Sequence, residues 1–214
     1  MDIICARHGN TFGPGDRVVW VGANEDLPLT AEGENQAQRL AAALKSSGVT
    51  LTAIFHGDLR RTRRYAEIIV ENLGRESMLR RNNALTEIDY GDWANRTNEE
   101  IESKLGQAEA LRLWNEKNIW PQEAHWGGSE ESLRRAVTQF LEMLRDRYAS
   151  GETVLVVTSN GILRFLASAA LGPQAARDAR FPFKMKTGNI GKITERNGSF
   201  GLAYWDVVPG NAPV

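Results

Sequence analysis

The sequence predicts an α/β fold, a three-layer α/β/α sandwich with a mostly parallel central sheet. Three times along the chain, a short apolar run ends in a polar turn that leads into a helix with apolar residues at helical spacing. These runs begin at Ile3, Leu51 and Thr153. Parallel strands joined by helices place their carboxyl ends along one edge of the sheet, where ligands bind in open α/β folds. We therefore expect the three polar turns to meet at one site.

The first half of the chain alternates strand and helix. Residues 3–6 predict a buried strand, and Thr30 is expected to cap a helix that ends near Gly48. A second strand is predicted at 51–55, and a second helix follows it as far as Leu73. The apolar residues of both helices recur every three or four positions, which indicates that each helix packs one face on the sheet.

The second half predicts a longer set of elements. Residues 98–118 have the apolar period of one helix, and Ser129 is expected to cap another that ends near Gly151. The Val-rich run 153–158 predicts a strand buried on both faces, and residues 162–171 predict the helix after it.

The end of the chain has a different pattern. Gly172 and Pro173 are expected to stop the preceding helix. Residues 190–207 then predict a hairpin on the two-residue turn Asn197-Gly198, with both strands completing the sheet. Residues 209–214 are expected to be a loose end.

The composition is that of an ordinary soluble chain. Its 214 residues suit a single domain spanning 1–214, and a net charge of -1 argues against a general nucleic-acid or membrane-surface binder. The single cysteine, Cys5, excludes an internal disulfide and fits a reducing compartment. The N-terminus resembles no leader, and no apolar run reaches membrane-spanning length. We therefore expect a cytoplasmic protein with no nucleic-acid or membrane partner, while its oligomeric state stays open.

The turn after the first strand, residues 7–11, carries groups that suit a phosphate. Arg7 offers a planar fork of donors, and Gly9 allows close approach of the backbone. Asn10 and Thr11 add short polar side chains, and His8 could attack phosphorus. From these five residues alone, an ordinary polar turn is the leading interpretation.

This turn, Arg7-His8-Gly9-Asn10-Thr11, resembles the signature of the histidine phosphatase superfamily, which includes cofactor-dependent phosphoglycerate mutases and many small phosphomonoesterases. The resemblance continues in the same order through 29–37, 58–62, 85–93 and 156–161. It implies a phosphoglycerate mutase-like fold and a phosphomonoester hydrolase that works through a phosphohistidine on His8. It also implies a phosphorylated small-molecule substrate and no cofactor.

The resemblance gives roles to residues that spacing alone does not single out. Glu87 is the implied proton donor to the leaving alkoxide, and its apolar neighbours Leu85 and Ile88 suit a group that must hold a proton. The implied phosphate contacts are Arg7, Asn10, Thr11, Arg61, Asn160 and Gly161. No metal is expected, because the three histidines match no metal-binding spacing and arginines can supply the charge.

One position departs from the family pattern where the chemistry depends on it. Asn160 stands where the family's second active-site histidine is expected. An amide donates a hydrogen bond but carries no charge, and losing a charge-assisted bond costs about 1.5–3 kcal/mol, roughly ten- to a hundredfold in rate. Trp93-Ala94-Asn95 is a second departure, from the Trp-Glu-Gly of the family. The expectation is therefore a slow or specialised phosphatase.

Three alternatives stay open. A pseudo-phosphatase that binds a phosphorylated ligand or a partner protein would explain Asn160, although it would not need both His8 and Glu87. A phosphoglycerate mutase is a further alternative and would depend on a bisphosphate primer. A thiol enzyme built on Cys5 is the weakest, because that residue lies within a buried run.

Two aromatic segments are expected near the site. Trp20 lies in a Gly-rich loop that either walls the pocket or packs on the core, and the sequence does not choose between them. Residues 92–128 form a lid-like insertion, in which Trp114, Trp120 and Trp126 are expected to pack beneath the loop 119–128. An apolar or ring-bearing leaving group is the alternative role of that loop.

Overall fold

A six-stranded sheet forms the centre of the computed structural model, which describes residues 1–75, 78–172 and 181–211. Its strands are β1 (Asp2–Arg7), β2 (Leu51–His56), β3 (Leu79–Arg81), β4 (Thr153–Thr158), β5 (Ile190–Arg196) and β6 (Ser199–Val207). They lie in the order β3-β2-β4-β1-β5-β6. The first four are parallel, while β5 and β6 add antiparallel to β1.

Helices cover both faces of this sheet. They are α1 (Ala31–Ser46), α2 (Arg60–Leu73), α3 (Asn98–Lys104), α4 (Ala108–Lys117), α5 (Glu130–Arg147) and α6 (Asn160–Leu171). Alternate residues of β1 supply two cores, because side chains alternate across a strand. Ile4 and Ala6 pack with α1 and α2, whereas Ile3 and Cys5 pack with the cluster that holds α3 to α6. The predicted three-layer, mostly parallel fold is confirmed.

Local signals in the sequence explain several element ends. Thr30 Oγ1 accepts a hydrogen bond from the Gly33 N–H at 3.1 Å and caps α1, and Ser129 forms a capping box at the start of α5. Asn197 and Gly198 have φ of 54° and 81°, as the predicted hairpin turn between β5 and β6 requires.

The structure corrects the prediction of one helix over 98–118. The chain breaks there into α3 and α4, since Gly106 takes a left-handed φ of 68° that ends the first helix. The short strand β3, with two exposed arginines, was not predicted because three residues carry no clear period. Pro173 and residues 212–214 lie outside the described residues. Within the described ranges, no helix is long and apolar enough to cross a membrane.

The sheet register brings the polar turns to one edge. Arg7, the last residue of β1, pairs with Thr158, the last residue of β4. On the other side of β4, His56 pairs with Val157. The carboxyl ends of β1, β4 and β2 therefore finish within one residue of each other, and the segments that follow them open toward the same space.

Candidate active site

A cavity of about 660 Å³ lies at the carboxyl ends of β1 and β4. Six of the eight site residues predicted from the sequence line it, and they come from three separate parts of the chain. These residues are Arg7, His8, Asn10, Thr11, Glu87 and Asn160. The turns after β1 and β4 thus meet at the cavity as expected, whereas the lining includes no described residue of the turn after β2.

His8 is held in a state suited to nucleophilic attack. Its Nδ1 lies 2.8 Å from the Gly9 carbonyl oxygen, which can only accept, so we assign the proton to Nδ1 and the lone pair to Nε2. Burial, reinforced by the charges of Arg61 and Arg7, holds the pKa of His8 well below its usual value. The imidazole is therefore neutral near pH 7, with an available Nε2.

Arg7 has one side-chain donor that the described residues leave unused. Its Nη1 donates to the Met185 carbonyl at 2.5 Å, which fixes the plane of the guanidinium. Its Nε is buried and has no hydrogen-bond partner in the part of the chain that the structure describes. Burial also lowers the pKa of Arg7 from its usual value, although nearby Glu87 opposes that shift. A buried, unpartnered guanidinium donor at a cavity is the arrangement expected for an anion site.

Two amide side chains add neutral donors. Asn160 Oδ1 accepts from the Met185 N–H at 3.0 Å, and Asn10 Oδ1 accepts from Thr187 Oγ1 and, at 3.3 Å, from Gln36 Nε2. These contacts identify the carbonyl end of each amide. Within the described part of the chain, both NH₂ groups are without hydrogen-bond partners, so each can donate to a ligand in the cavity.

Glu87 is buried, with 8% of its surface exposed, and is oriented by its neighbours. Oε1 accepts from the Ile88 N–H at 2.9 Å, and Oε2 accepts from the Gly161 N–H at 3.1 Å. Burial, together with the charge of Glu87, raises the pKa of the neighbouring Tyr90 well above its usual value. The carboxyl group is therefore fixed at the cavity wall.

Two predicted phosphate contacts lie behind the cavity wall. Arg61 is 2% exposed and donates to the carbonyl oxygens of Gly22, at 2.8 Å, and Glu25, at 2.9 Å. Its charge acts on the site at short range, since it is one of the causes that lower the pKa of His8. Gly161 gives its N–H to Glu87, so its part in the site is to hold that carboxyl group.

Beyond the predicted site residues, the cavity lining contains an apolar set and a polar set of residues, called here the apolar wall and the polar wall. Residues of the loop after β1 form the apolar wall: Phe12, Val18, Val19, Trp20 and Val21. The polar wall comes from the start of α3 and from α4, and contains Thr97, Asn98, Glu99 and Asn115. The lining thus offers both apolar contacts and hydrogen-bonding groups to a leaving group.

Trp20 takes both of the roles that the sequence left open. It lines the cavity, and its ring packs edge-on against Tyr90 at 4.8 Å and Trp93 at 5.0 Å. Its Nε1 donates to Asn98 Oδ1 at 2.8 Å, and its carbonyl accepts from the Asn95 N–H at 2.8 Å. These two hydrogen bonds connect the apolar wall to Asn95 and to Asn98, the first residue of α3.

The packing expected for the other tryptophans is confirmed. Trp126 is 6% exposed and lies at the centre of an aromatic cluster. Its ring centroid is 4.8 Å from those of Tyr90, Trp114 and Trp120. This cluster connects the loop 119–128 to Tyr90 and thus to the carboxyl group of Glu87.

Sequence reasoning missed three residues of the site. Tyr90 lay in a block of the family resemblance without a role, and Lys184, which lines the cavity, lay in a segment with no motif. Arg164 is fully buried beneath the site, donates to the Trp114 carbonyl at 2.7 Å, and has its pKa lowered to about 10 by burial. One available signal was that Arg164 is the only charged residue in the otherwise apolar run 161–171.

Neither a metal site nor a reactive thiol is found among the described residues. No group of three His, Cys, Asp or Glu side chains there could hold a metal ion. Cys5 is fully buried, and burial raises the pKa of its thiol to about 12. Because the thiolate is the reactive form, the thiol-enzyme alternative is wrong.

Comparison with known proteins identifies the family of the chain. The chain is 28% identical over 169 residues to a 2,3-bisphosphoglycerate-dependent phosphoglycerate mutase of Methylorubrum extorquens, covering 77% of this chain and 76% of that protein. The structure of Bacillus stearothermophilus YhfR has a TM-score of 0.77 and 28% identity, with 97% of each chain covered.

A mycobacterial glucosyl-3-phosphoglycerate phosphatase shares the fold, with a TM-score of 0.77, 21% identity, and coverage of 97% of this chain and 99% of that one. Residues 3–207 match the family model of branch 1 of the histidine phosphatase superfamily. With His8 after β1 at the edge of the sheet where the cavity lies, the chain belongs to the histidine phosphatase superfamily.

Proposed function

We propose that the protein hydrolyses phosphomonoesters through a phosphohistidine intermediate on His8. The observation that carries the proposal is the state of this residue. Its Nδ1 proton is held by the Gly9 carbonyl, its imidazole is neutral, and it lines a cavity with unused phosphate donors. A neutral imidazole with a free Nε2 is a competent nucleophile without any further base.

The reaction has two displacement steps. In the first, Nε2 of His8 attacks phosphorus, the P–O bond to the leaving group breaks, and Glu87 gives its proton to the leaving oxygen. In the second, water attacks phosphorus and gives a proton back to Glu87. The P–N bond then breaks, its electron pair returns to Nε2, and inorganic phosphate leaves.

The donors around His8 support both steps. Within the described part of the chain, the Nε of Arg7 and the NH₂ groups of Asn10 and Asn160 have no partner, and all three residues line the cavity and can donate to phosphoryl oxygens. Preorganised donors in a partly buried site stabilise developing charge without the cost of reorienting water. Arg61 supports the site from behind as a fixed positive charge close to His8.

The outer walls support a preference for the leaving group. We propose that it is neutral, presents an apolar face to Val19 and Trp20, and carries hydroxyl or amide groups that reach Asn98 and Asn115. Glu99 lies on the same polar wall and repels an acidic leaving group. Residues 92–128 supply this wall, which supports their proposed role as a lid-like insertion.

The alternatives separate by simple criteria. A mutase requires turnover that depends on a bisphosphate primer. This alternative is supported by the Methylorubrum relative, which is named as a 2,3-bisphosphoglycerate-dependent phosphoglycerate mutase. A pseudo-phosphatase would bind phosphate without turnover, and the neutral Asn160 is the feature that favours it. In either of these proteins, hydrolysis of a simple phosphomonoester in the absence of primer would be negligible.

The decisive experiment measures phosphate release from a panel of phosphomonoesters in excess chelator, together with rapid-quench trapping of ³²P-labelled protein. We expect a label that is labile in acid and stable in base, as phosphohistidine is, and that is absent from His8→Gln. His125→Gln is the matched control, because His125 is exposed and does not line the cavity. Turnover and label that persist in His8→Gln would contradict the mechanism.

A further inference from the structure

The phosphate end of the cavity has less positive charge than a phosphate dianion calls for. Among the described residues, Arg7 is the only arginine that lines it, while both terminal nitrogens of Arg61 donate to backbone carbonyls. Asn160 donates hydrogen bonds but carries no charge. A further cation is therefore expected among the groups that border this end of the cavity.

The position of Lys184 is set by the hydrogen bonds of the next residue, Met185. The Met185 carbonyl accepts from Arg7 Nη1 at 2.5 Å, and the Met185 N–H donates to Asn160 Oδ1 at 3.0 Å. One residue thus joins the two proposed phosphate contacts that come from β1 and α6. Lys184 immediately precedes it and lines the same cavity.

The ammonium group of Lys184 has no partner in the described part of the chain. It forms no ion pair or hydrogen bond there, and partial burial together with the charges of Arg7 and Arg164 lowers its pKa. The carboxylate that opposes this shift belongs to Asp206, which already accepts from the Lys186 N–H at 2.7 Å. A lysine held near other cations without a counter-ion indicates that an anion completes the group.

A solvated surface lysine is the ordinary alternative, and the chain contains one for comparison. Both lysines are exposed, and Lys186, two residues further on, does not line the cavity. It shares the segment, the side chain and the exposed position of Lys184, and differs in that it is not part of the cavity lining. Contact with the cavity separates the two lysines.

We infer that Lys184 binds the phosphoryl group of the substrate and supplies the positive charge that Asn160 lacks. The inference rests on the proposed phosphate site beside His8. It also explains how a site with an asparagine at this position can still hold a phosphate dianion. A point charge on a flexible stem suits this role, because Lys184 reaches the phosphate from the rim rather than from the base.

The test is the affinity for inorganic phosphate, measured by calorimetry on the full chain at low ionic strength. The variants are Lys184→Met, Lys184→Arg and the matched control Lys186→Met. Asn160→His and the double variant Asn160→His/Lys184→Met test whether the two positions share one charge. Thermal melting of each variant checks that the fold is retained.

We expect Lys184→Met to weaken phosphate binding roughly ten- to a hundredfold, the value of a charge-assisted hydrogen bond. Lys184→Arg should keep most of the affinity, and Lys186→Met should leave it unchanged. In the Asn160→His background, the loss caused by Lys184→Met should shrink to about threefold or less, because the new imidazole supplies the charge.

Phosphate affinity in Lys184→Met equal to that of the wild type would overturn the inference. An equal loss in Lys186→Met would do the same, since it would reduce the effect to general surface charge. If Lys184→Met weakens phosphate binding as strongly in the Asn160→His background as in the wild type, the claim that the two positions share one charge would be overturned.

The two proposals fail in distinguishable ways. Turnover that requires His8, together with unchanged phosphate affinity in Lys184→Met, would reject the role of Lys184 alone. Phosphate affinity that depends on Lys184, in a protein without His8-dependent turnover, would reject hydrolysis and leave the role of Lys184 standing.

Discussion

The backbone N–H of Gly161 donates a hydrogen bond to Oε2 of Glu87 at 3.1 Å, so the first turn of α6 holds the proposed proton donor in place. The two residues are in close contact. A Cβ on residue 161 would lie 2.3 Å from Oε1 of Glu87 and 2.8 Å from the Tyr90 hydroxyl oxygen. Glycine is therefore needed here for the approach of α6 to the carboxyl group.

This contact predicts the effect of Gly161→Ala. The added methyl group meets side-chain atoms, which can move, so we expect the fold to persist and the carboxyl group to shift. A displacement of about 1 Å typically costs about a hundredfold in rate, and we expect kcat to fall by roughly ten- to a hundredfold with KM little changed. Steady-state kinetics on p-nitrophenyl phosphate measure this.

Gly201→Ala is the control for that variant. The nearest atom to a Cβ at residue 201 is 3.8 Å away, an ordinary contact, and the position is far along β6 from the cavity. We expect wild-type kinetics from this control. A normal kcat in Gly161→Ala would mean that the position of Glu87 does not limit the reaction.

The burial of His8 makes the stability of the protein depend on pH. Its pKa is held well below 6.5 in the folded state, so the unfolded chain takes up this proton first as the pH falls. The unfolded state then binds more protons, and the free energy of unfolding decreases as the pH drops through 6.5 toward the folded pKa. Between pH 8 and pH 5 the loss amounts to at most about 2 kcal/mol.

Urea unfolding of the wild type and His8→Gln at these two pH values isolates this contribution. We expect the difference between pH 8 and pH 5 to be smaller in His8→Gln, because glutamine does not titrate. Equal pH dependence in the two proteins would show that His8 is readily protonated in the folded state, contrary to its assigned neutral form.

The sequence contained enough to predict the frame of the site. Apolar runs that end at Arg7 and Thr158, each followed by a polar turn, predict two parallel strands, and the register shows that they are adjacent and end together. The residues lining the base of the cavity follow from that register, because they sit on the turns themselves. Capping residues such as Thr30 also act locally and were predictable.

The sequence could not predict contacts made across long separations. Arg61 turns toward the carbonyls of Gly22 and Glu25, and a loop without periodicity gives no sign of where its carbonyls lie. Lys184 depends on hydrogen bonds between Met185 and residues 25 and 178 positions away. Such positions follow from tertiary packing, which local patterns do not encode.

Asn160→Asp separates the two proposed functions of this side chain, which are to accept a hydrogen bond from Met185 and to donate one to the phosphate. The variant keeps an oxygen that can accept from the Met185 N–H, so the local structure should persist. It replaces the NH₂ donor by a negative oxygen that faces the phosphate. We expect phosphate affinity to fall at least about a hundredfold, because a donor is lost and a like charge is gained. Calorimetry with inorganic phosphate measures the change.

Asn72→Asp is the matched control for this charge change, since Asn72 lies on α2 and does not line the cavity. It should leave phosphate affinity within about twofold of the wild type, as expected for a distant, screened charge. If Asn160→Asp also stays within that range, Asn160 does not contact the phosphate.

Glu99 provides a test of the proposed leaving-group preference. This carboxylate lies on the polar wall and repels a negative leaving group across a solvated distance, where a charge is worth about 0.5–1 kcal/mol. We expect Glu99→Lys, which reverses the charge, to raise kcat/KM for phosphomonoesters with an acidic leaving group by about five- to tenfold. Esters of neutral alcohols should change by less than twofold. Parallel kinetics on one acidic and one neutral substrate give the ratio of the two kcat/KM values.

Glu102→Lys is the control, since it makes the same charge change on α3 outside the cavity lining. The same gain from both variants would indicate long-range attraction by net charge. No gain from Glu99→Lys would show that the acidic group of the substrate does not lie near Glu99. Only a charge close to the leaving group can change the preference between the two substrates.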